Sequence, residues 1–198
     1  VELFETQFPA LVSSWRHAWA DDTLPFHFVQ LSSIARPSWP HFRDAQRRLA
    51  QQIPHCHMAV SSDLGDSLDV HPRHKRPIGE RLARIALHHD YGYSHLTPSG
   101  PAIKHAERKG SSLILTFDHA DGLTSADGNA LRTFEIAGDH GLYYPADKVI
   151  VKGNTITLQS RQVKRPTRAR YGWQPYTHAN LANSDGLPAS TFVIEVND

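Results

Sequence analysis

Apolar residues at helical spacing open the chain. They recur three or four positions apart over the first 19 residues, which places them on one stripe of an amphipathic helix. The stripe consists of Phe4, Phe8, Val12, Trp15 and Trp19. Pro9 lies inside this helix, where its ring removes a backbone hydrogen bond, so we expect a kink there. The pattern ends near Ala20, where the helix is predicted to stop.

Two short apolar runs and two further helical patterns follow. Residues 26–31 predict a buried strand. Ser38 is placed as the N-cap of a helix that extends to about Gln52. Residues 58–62 predict a second strand, and another helix-forming stretch begins at Pro77.

The order helix, strand, helix, strand, helix is typical of a doubly wound α/β sheet. Strands joined by helices of this length pair in parallel through right-handed crossovers. Residues 1–96 are therefore expected to form the C-terminal half of such a sheet. Because two strands cannot form this kind of sheet alone, we expect its other strands to come from residues outside this chain.

From residue 97 onward the pattern changes to short β-type runs separated by turns. The Thr-Pro-Ser-Gly-Pro segment at residues 97–101 is predicted to be a linker. The runs lie at residues 113–117, 131–136, 149–151, 155–158, 167–171 and 191–196. Glycine-containing turns, notably Lys152-Gly-Asn154 and Asp127-Gly128, separate several of them. Residues 102–198 are therefore predicted to form an all-β domain, most simply a β-sandwich.

Composition excludes several classes of partner. The 21 basic and 20 acidic residues nearly cancel, so no strong field attracts nucleic acid or an anionic membrane surface. No apolar run approaches the about 20 residues that a membrane-spanning helix needs. The single cysteine, Cys56, excludes an internal disulfide framework and is interpreted as a small buried hydrophobe. The chain starts at Val1 inside an amphipathic pattern and without a signal peptide, so we expect that its beginning has been removed.

The Asp-Val-His-Pro sequence at residues 69–72 carries the strongest chemical signal. A histidine on a loop after a buried strand, with acids nearby, is where α/β hydrolytic enzymes place a general base. His71 is therefore a candidate base. An alternative interpretation makes it a solvated loop histidine beside the basic run at residues 73–76, which would be a small phosphate-binding patch or an ordinary wet loop.

Two other motifs carry weaker signals. Gly65-Asp-Ser-Leu68 matches the motif of a large class of serine esterases, but Ser67 stands four residues before His71. Residues so close in one loop seldom meet as nucleophile and base, and no Gly-x-Ser-x-Gly elbow occurs in the sequence. Histidine pairs at 55/57, 71/74 and 88/89 raise the question of a metal. Because no cysteine pair or His-Glu-x-x-His motif accompanies them, we predict neither a metal nor a cofactor.

Aromatic residues near the C-terminus have two interpretations. Tyr171 and Trp173 could present a sugar-stacking surface on the β domain. They could equally pack that domain against the α/β part. We favour the packing role, because a compact two-domain chain needs an interface.

Several segments, in order, resemble the sialate O-acetylesterase family, serine esterases of the SGNH-hydrolase type that remove acetyl groups from sialic acids and related carbohydrates. The resemblance is strongest in the histidine block at residues 69–82. The other segments are residues 8–16, 28–31, 39–46, 117–122, 134–138, 170–173 and 183–190. The resemblance implies an SGNH-type (flavodoxin-like) α/β/α sheet in residues 1–96 and a β-sandwich in residues 102–198.

The resemblance also implies what this chain lacks. In the family the nucleophilic serine lies in a Gly-Gln-Ser-Asn block and a Tyr-Gln-Gly-Glu-Ser-Asn block follows later, and neither block occurs here. We therefore expect the C-terminal chain of a heteromeric, secreted or periplasmic acetylesterase whose serine belongs to an N-terminal chain. Acetylated sialic acid, or another acetylated carbohydrate, is the implied substrate.

The implied mechanism is acyl transfer, in which His71 takes the proton of that serine and later activates water. The acid that orients His71 is open, because esterases of this type commonly place an aspartate three residues before the histidine, where Leu68 stands. We favour Asp69 over Asp66, and a backbone carbonyl is a third possibility. The alternative function is a noncatalytic carbohydrate-binding or interaction protein.

Overall fold

The structure, a computed structural model, describes residues 1–196 and begins with an α/β part. This part contains the helices α1 (Glu2–Trp19), α2 (Trp39–Gln52) and α3 (Arg76–His89) and the strands β1 (Phe26–Val29) and β2 (Cys56–Ala59). β1 and β2 pair in parallel, which confirms the predicted pairing across a helix. None of the described helices is long and apolar enough to cross a membrane.

Helix α1 uses part of its apolar stripe to pack on β1. The ring of Phe8 contacts those of Phe26 and Phe28 at centroid separations of 5.9 and 4.8 Å. Trp15 and Trp19, at the other end of the stripe, keep 52% and 69% of their surface exposed. The predicted stripe is therefore real, but the described residues leave its second half uncovered.

Local signals place the other boundaries to within a few residues. α1 continues through Pro9 as one helix. Ser38 precedes α2 as predicted, although its hydroxyl makes no capping hydrogen bond. β2 starts two residues earlier than predicted, at Cys56 rather than Met58, because its pairing with β1 sets the register. Ser62, predicted to end this strand, begins a short 3-10 helix instead.

Cys56 opens β2 with a buried, free thiol. This confirms its interpretation as a small buried hydrophobe. Burial raises the pKa of the thiol to about 11, so the group is protonated at neutral pH.

The remaining described residues form antiparallel sheets. Their strands are β3 (Ala102–Lys109), β4 (Ser112–Asp118), β5 (Thr124–Ser125), β6 (Phe134–Ala137), β7 (Tyr143–Pro145), β8 (Lys148–Lys152), β9 (Thr155–Gln159), β10 (Arg168–Tyr171), β11 (Leu181–Ala182) and β12 (Phe192–Glu195). One sheet has the order β3-β4-β9-β8, a second has the order β12-β10-β6-β7, and β5 pairs with β11. The change to β structure after the linker is confirmed, whereas the sandwich and the boundary at residues 97–101 stay predictions.

The pattern of apolar residues does not predict strand β3. Its buried residues, Ile103 and Ala106, stand three positions apart, whereas a regular strand repeats every two. A shift in register between Ile103 and His105 inserts an extra residue opposite β4. Because such a bulge changes the face that the following residues occupy, the alternation is lost.

Buried residues of both four-stranded sheets meet in one hydrophobic core. One sheet contributes Leu113, Leu115, Phe117, Ile156 and Leu158, and the other contributes Phe134, Ile136, Ala169, Tyr171 and Phe192. The rings of Phe117 and Phe192, with centroids 5.9 Å apart, connect the two sheets. Tyr171 belongs to this core, where its hydroxyl accepts a hydrogen bond from the Leu181 N–H. The prediction that Tyr171 packs against the α/β part is therefore wrong.

A buried arginine joins α2 to the β part. Arg43 has an exposed fraction of 0%. Its guanidinium donates hydrogen bonds to Thr191 Oγ1 at 2.9 Å and to the carbonyl oxygens of Gly172, Gln174 and Pro175 at 3.0, 2.7 and 3.0 Å. Burial lowers the pKa of Arg43 to about 10, so the side chain stays charged at neutral pH. Backbone dipoles thus solvate this cation in place of water.

Other contacts extend the same junction. Gln30 Nε2, at the end of β1, donates a hydrogen bond to Ser190 Oγ at 2.6 Å. The ring of Trp173 lies 5.0 Å from that of His41 in the first turn of α2. The predicted packing role is confirmed for Trp173.

We predict that Arg43→Met lowers the free energy of unfolding by about 2–4 kcal/mol, because methionine fills a similar space but leaves the buried acceptors without donors. Urea denaturation followed by circular dichroism measures the change. The exposed Arg161 provides the control, and Arg161→Met should stay within about 0.5 kcal/mol of the unsubstituted chain. Equal stability of the two variants would contradict the structural role of Arg43.

Candidate active site

The loops that follow β1 and β2 meet at the carboxyl ends of these parallel strands, the edge where open α/β sheets form ligand sites. The Ser32 hydroxyl donates a hydrogen bond to the Val70 carbonyl oxygen at 3.1 Å. The Ala35 N–H donates another to the Ser67 carbonyl oxygen at 3.2 Å. These two bonds fasten the loop that carries His71 to the loop after β1.

Gly65 allows the two loops to approach each other. A Cβ atom at this position would stand 2.1 Å from the carbonyl oxygen and 2.4 Å from the nitrogen of Ser33. Its φ of −75° is open to any residue, so the lack of space, and not the backbone conformation, requires glycine. Gly65 therefore sets the path by which the chain reaches His71.

Asp69 is the acid that contacts His71. Its Oδ1 accepts a hydrogen bond from the His71 N–H at 2.9 Å and lies 3.2 Å from His71 Nδ1. The side chains are exposed, 79% for His71 and 47% for Asp69. The hydrogen bond from the His71 backbone N–H is the main cause that lowers the pKa of Asp69.

Asp66 has a different place in the loop. Its Oδ1 accepts hydrogen bonds from the backbone N–H groups of Leu68 at 2.8 Å and of Asp69 at 3.3 Å. This turn shapes the backbone immediately before Asp69. Of the two predicted acids, Asp69 thus lies against the imidazole and Asp66 supports the loop.

The described residues bring no nucleophile to His71. Among residues 1–196, no serine, threonine or cysteine side chain forms a hydrogen bond with the His71 ring. The Ser67 carbonyl oxygen accepts a hydrogen bond from the Ala35 N–H, and this bond holds the backbone of Ser67 against the loop after β1. Within residues 1–196, the His71 ring thus has Asp69 as its hydrogen-bonding side-chain partner.

The basic run after His71 is a solvated segment. Residues 73–76 are all exposed. Arg76 forms an exposed ion pair with Glu80, one turn further along α3, at 2.7 Å. Such an exposed pair contributes little to stability.

Comparison with known proteins shows which proteins this chain resembles. No family model matches it. The sialate O-acetylesterase of Mus musculus is 28% identical over 99% of the chain, and that of Homo sapiens is 26% identical over 100%. A solved carbohydrate acetylesterase from Xanthomonas citri matches 97% of the chain with a TM-score of 0.90 and 35% identity.

The chain is similar to the sialate O-acetylesterases. The resemblance inferred from the sequence is confirmed by these relatives. The mixed α/β and antiparallel architecture is likewise that of the Xanthomonas citri acetylesterase. The chain spans 42% and 43% of the mouse and human esterases and 46% of the Xanthomonas citri chain.

A histidine cluster that sequence reasoning missed lies near the amino ends of the strands. His27 and His57 are opposite each other in β1 and β2, with ring centroids 5.4 Å apart. His89, in the last turn of α3, stacks on His57 with centroids 3.6 Å apart and planes 9° apart. Asp90 Oδ2 lies 2.6 Å from His27 Nε2. His27 in the first predicted strand and His57 just before the second were the available signals, but the packing of α3 against both strands was not visible in the sequence.

The histidine rings of this cluster pack against one another. Within residues 1–196, no group of three or more histidine, cysteine, aspartate or glutamate side chains is arranged to hold a metal ion. Burial, followed by the charge of a protonated His89, lowers the pKa of His57 to about 4. Burial and the neighbouring His88 also lower the pKa of His89. The stacked imidazoles are therefore neutral at pH 7.

We predict that this cluster makes stability depend on pH. The folded-state pKa of His57 lies below its ordinary value of 6.5. The neutral imidazole therefore makes its full contribution to folding stability above pH 6.5. This stability is lost as the pH falls from 6.5 towards 4, because the unfolded chain binds a proton at His57 more readily than the folded chain does. Between pH 7 and pH 4.5 the chain should lose about 1–2 kcal/mol more stability than a His57→Leu variant, after allowance for solvent screening. Urea denaturation at a series of pH values measures this difference.

The exposed His74 offers the matched control. His74→Leu should keep the pH dependence of the unsubstituted chain, since His74 is exposed and lies outside the histidine cluster. Identical slopes for all three proteins would show that the cluster does not titrate as the structure indicates.

Proposed function

We propose that this chain supplies the general base of a carbohydrate O-acetylesterase that hydrolyses acetyl esters of sialic acids or related sugars. The observation that carries the proposal is the likeness of 97% of the chain to the Xanthomonas citri carbohydrate acetylesterase at 35% identity. The names of the mouse and human relatives support sialic acid as the sugar. Because the chain spans less than half of each relative, the activity is proposed for the assembled enzyme.

His71 acts on a serine that lies outside residues 1–198. With Asp69 Oδ1 3.2 Å from Nδ1, the proton resides on Nδ1 and Nε2 is the free acceptor. Nε2 takes the serine proton as the serine oxygen attacks the acetyl carbonyl, and returns it to the sugar oxygen as the ester bond breaks. Water then attacks the acetyl-enzyme while Nε2 accepts its proton and passes it to the serine oxygen as the acetyl–serine bond breaks, which releases acetate and regenerates the serine.

Asp69 holds the imidazole and stabilises its protonated form. The pKa of Asp69 is lowered mainly by the hydrogen bond from the His71 N–H, so the carboxylate is ionised at neutral pH. A carboxylate in this position favours the imidazolium that forms during proton transfer. The part of the enzyme that carries the serine would cover this exposed pair, remove water from it and strengthen its attraction.

The proposal is tested in an enzyme assembled by co-expressing this chain with the part of the Xanthomonas citri acetylesterase that lies outside the match. Hydrolysis of 4-nitrophenyl acetate and of O-acetylated sialic acid is then measured. His71→Ala should lower kcat by about a thousandfold or more, because no other group accepts the serine proton. Asp69→Asn should lower it by up to about 10⁴-fold, because asparagine neither stabilises the imidazolium nor favours the tautomer with the proton on Nδ1.

His74→Ala, three residues beyond the base, is the control and should leave kcat unchanged. Full hydrolysis by the His71→Ala enzyme would show that the base is a different group. A larger loss in Asp66→Asn than in Asp69→Asn, with folding intact, would make Asp66 the orienting acid.

A further inference from the structure

Arg81 connects the two elements that flank residues 65–75, here termed the His71 loop. Arg81 lies in the second turn of α3, which follows the loop. Asp63 lies in the short 3-10 helix, Ser62–Leu64, that precedes it. The Arg81 guanidinium donates hydrogen bonds to Asp63 Oδ1 and Oδ2 at 2.7 and 2.6 Å, the bidentate geometry that makes an arginine–carboxylate contact strong and directional.

The same guanidinium also reaches the end of β2. Arg81 Nη1 donates a hydrogen bond to the carbonyl oxygen of Val60, the residue after β2, at 2.7 Å. The preceding carbonyl oxygen, that of Ala59, accepts a hydrogen bond from the Gln30 N–H on the β1 side. Successive carbonyl groups of a strand point to opposite sides, so the Val60 carbonyl faces away from β1 and needs a donor of its own. Arg81 supplies that donor.

The contact between Arg81 and Asp63 is shielded from water. Side-chain exposure is 12% for Arg81 and 29% for Asp63, against 90% and 60% for Arg76 and Glu80, the exposed ion pair at the start of the same helix. Solvent screens a part-buried pair less than an exposed one. The Arg81–Asp63 pair is therefore the one of the two that can hold the ends of the His71 loop at a fixed separation.

Contacts from the loop after β1 hold the His71 loop between those ends. The Ala35 N–H donates to the Ser67 carbonyl oxygen, and the Ser32 hydroxyl donates to the carbonyl oxygen of Val70, the residue before His71. These bonds are single and neutral, so each is weaker than the bidentate contact of Arg81. Freed ends would let the loop shift, and the imidazole would move with it.

We propose that Arg81 is a positioning residue for His71. By holding Asp63 and the Val60 carbonyl, Arg81 fixes the path of the His71 loop and so places Nε2 of His71 for proton transfer from the serine of the proposed esterase. Arg81 acts through the loop, since within residues 1–196 its side chain donates to Val60 and Asp63. A shift of about 1 Å in a catalytic group costs about a hundredfold in rate. The inference rests on the proposed function for the reaction that His71 serves.

Hydrolysis of 4-nitrophenyl acetate by the assembled enzyme tests this role. Arg81→Gln removes the bidentate contact and should lower kcat by about tenfold to a hundredfold. KM should stay within about threefold, because His71 serves both acylation and deacylation and both steps slow together. The reactive serines are counted by titration to completion with a fluorophosphonate. An unchanged kcat per titrated serine would mean that Arg81 contributes only to folding and would overturn the proposal.

The pH profile of kcat distinguishes the position of the base from its charge. The contact between Asp69 and His71 lies wholly within the loop. Arg81→Gln should therefore lower kcat at every pH and leave the midpoint of the profile in place. A displaced midpoint would show that Arg81 changes the ionisation of the imidazole rather than its position, and would contradict the inference.

Two further variants test whether the effect comes from the contact with Asp63. Arg81→Lys keeps a donor for one of the acceptors and should recover part of the lost kcat. Asp63→Asn should also lower kcat. The enzyme that combines Arg81→Gln with Asp63→Asn should be within about twofold of the slower single variant, because both changes break one contact. Losses that multiply would show that the two residues act independently and would count against the proposal.

Arg84, one turn further along α3, provides the matched control. Its Nη1 donates to the Thr97 carbonyl oxygen at 3.1 Å and lies 3.6 Å from Asp185 Oδ2, so Arg84 ties α3 to the β part. Arg84→Gln should keep kcat within about twofold of the unsubstituted enzyme. A loss as large as that of Arg81→Gln would show that any weakening of α3 slows the enzyme, which would refute a specific role for Arg81.

Hydrogen exchange in the chain alone gives a readout that does not depend on hydrolysis. The Ala35 amide reports the approach of the His71 loop through its bond to the Ser67 carbonyl oxygen. This amide should exchange about tenfold faster in Arg81→Gln and at the unsubstituted rate in Arg84→Gln. If the assembled enzyme is inactive, the proposed function fails, and the Ala35 rate still decides whether Arg81 holds the loop. An unchanged rate in Arg81→Gln overturns the proposal.

Discussion

The buried guanidinium of Arg43 is the interaction on which the arrangement of the two parts depends. A cation removed from water is stable only if the protein replaces its hydration, and here carbonyl groups from residues 172–175 and the hydroxyl of Thr191 do so. Those carbonyls can converge only when the segment after β10 folds against α2. The geometry of one side chain therefore couples the β part to the strands whose ends carry His71.

Much of the fold could be predicted because its elements are locally encoded. Two elements show their hydrophobic periodicity within a few residues: the helical stripe from Phe4 to Trp19, and the alternating apolar residues Leu113, Leu115 and Phe117. Strand β3 does not, since the bulge after Ile103 breaks its period. Arg43 could not be recognised either, because an arginine on a helix looks like a surface residue until its distant acceptors are known.

The candidate site was predictable in its residue types and less so in its geometry. The Asp-Val-His-Pro sequence points to His71 as a candidate base, and it favours Asp69 over Asp66 as the acid only narrowly. The structure distinguishes the two carboxylates. Asp66 accepts a hydrogen bond from the Leu68 N–H, and Asp69 contacts the imidazole of His71. The stack of His57 on His89 joins residues on different elements, and no local pattern reports such a contact.

The buried thiol of Cys56 gives the chain a practical property. The single sulfhydryl group in the sequence, that of Cys56 in β2, is buried and protonated at neutral pH, so alkylating reagents, which require thiolate, react with it slowly. Such reagents should therefore leave the native chain largely unlabelled. A cysteine introduced on its surface would become the one labelling site for a fluorophore or spin label, with no need to replace Cys56.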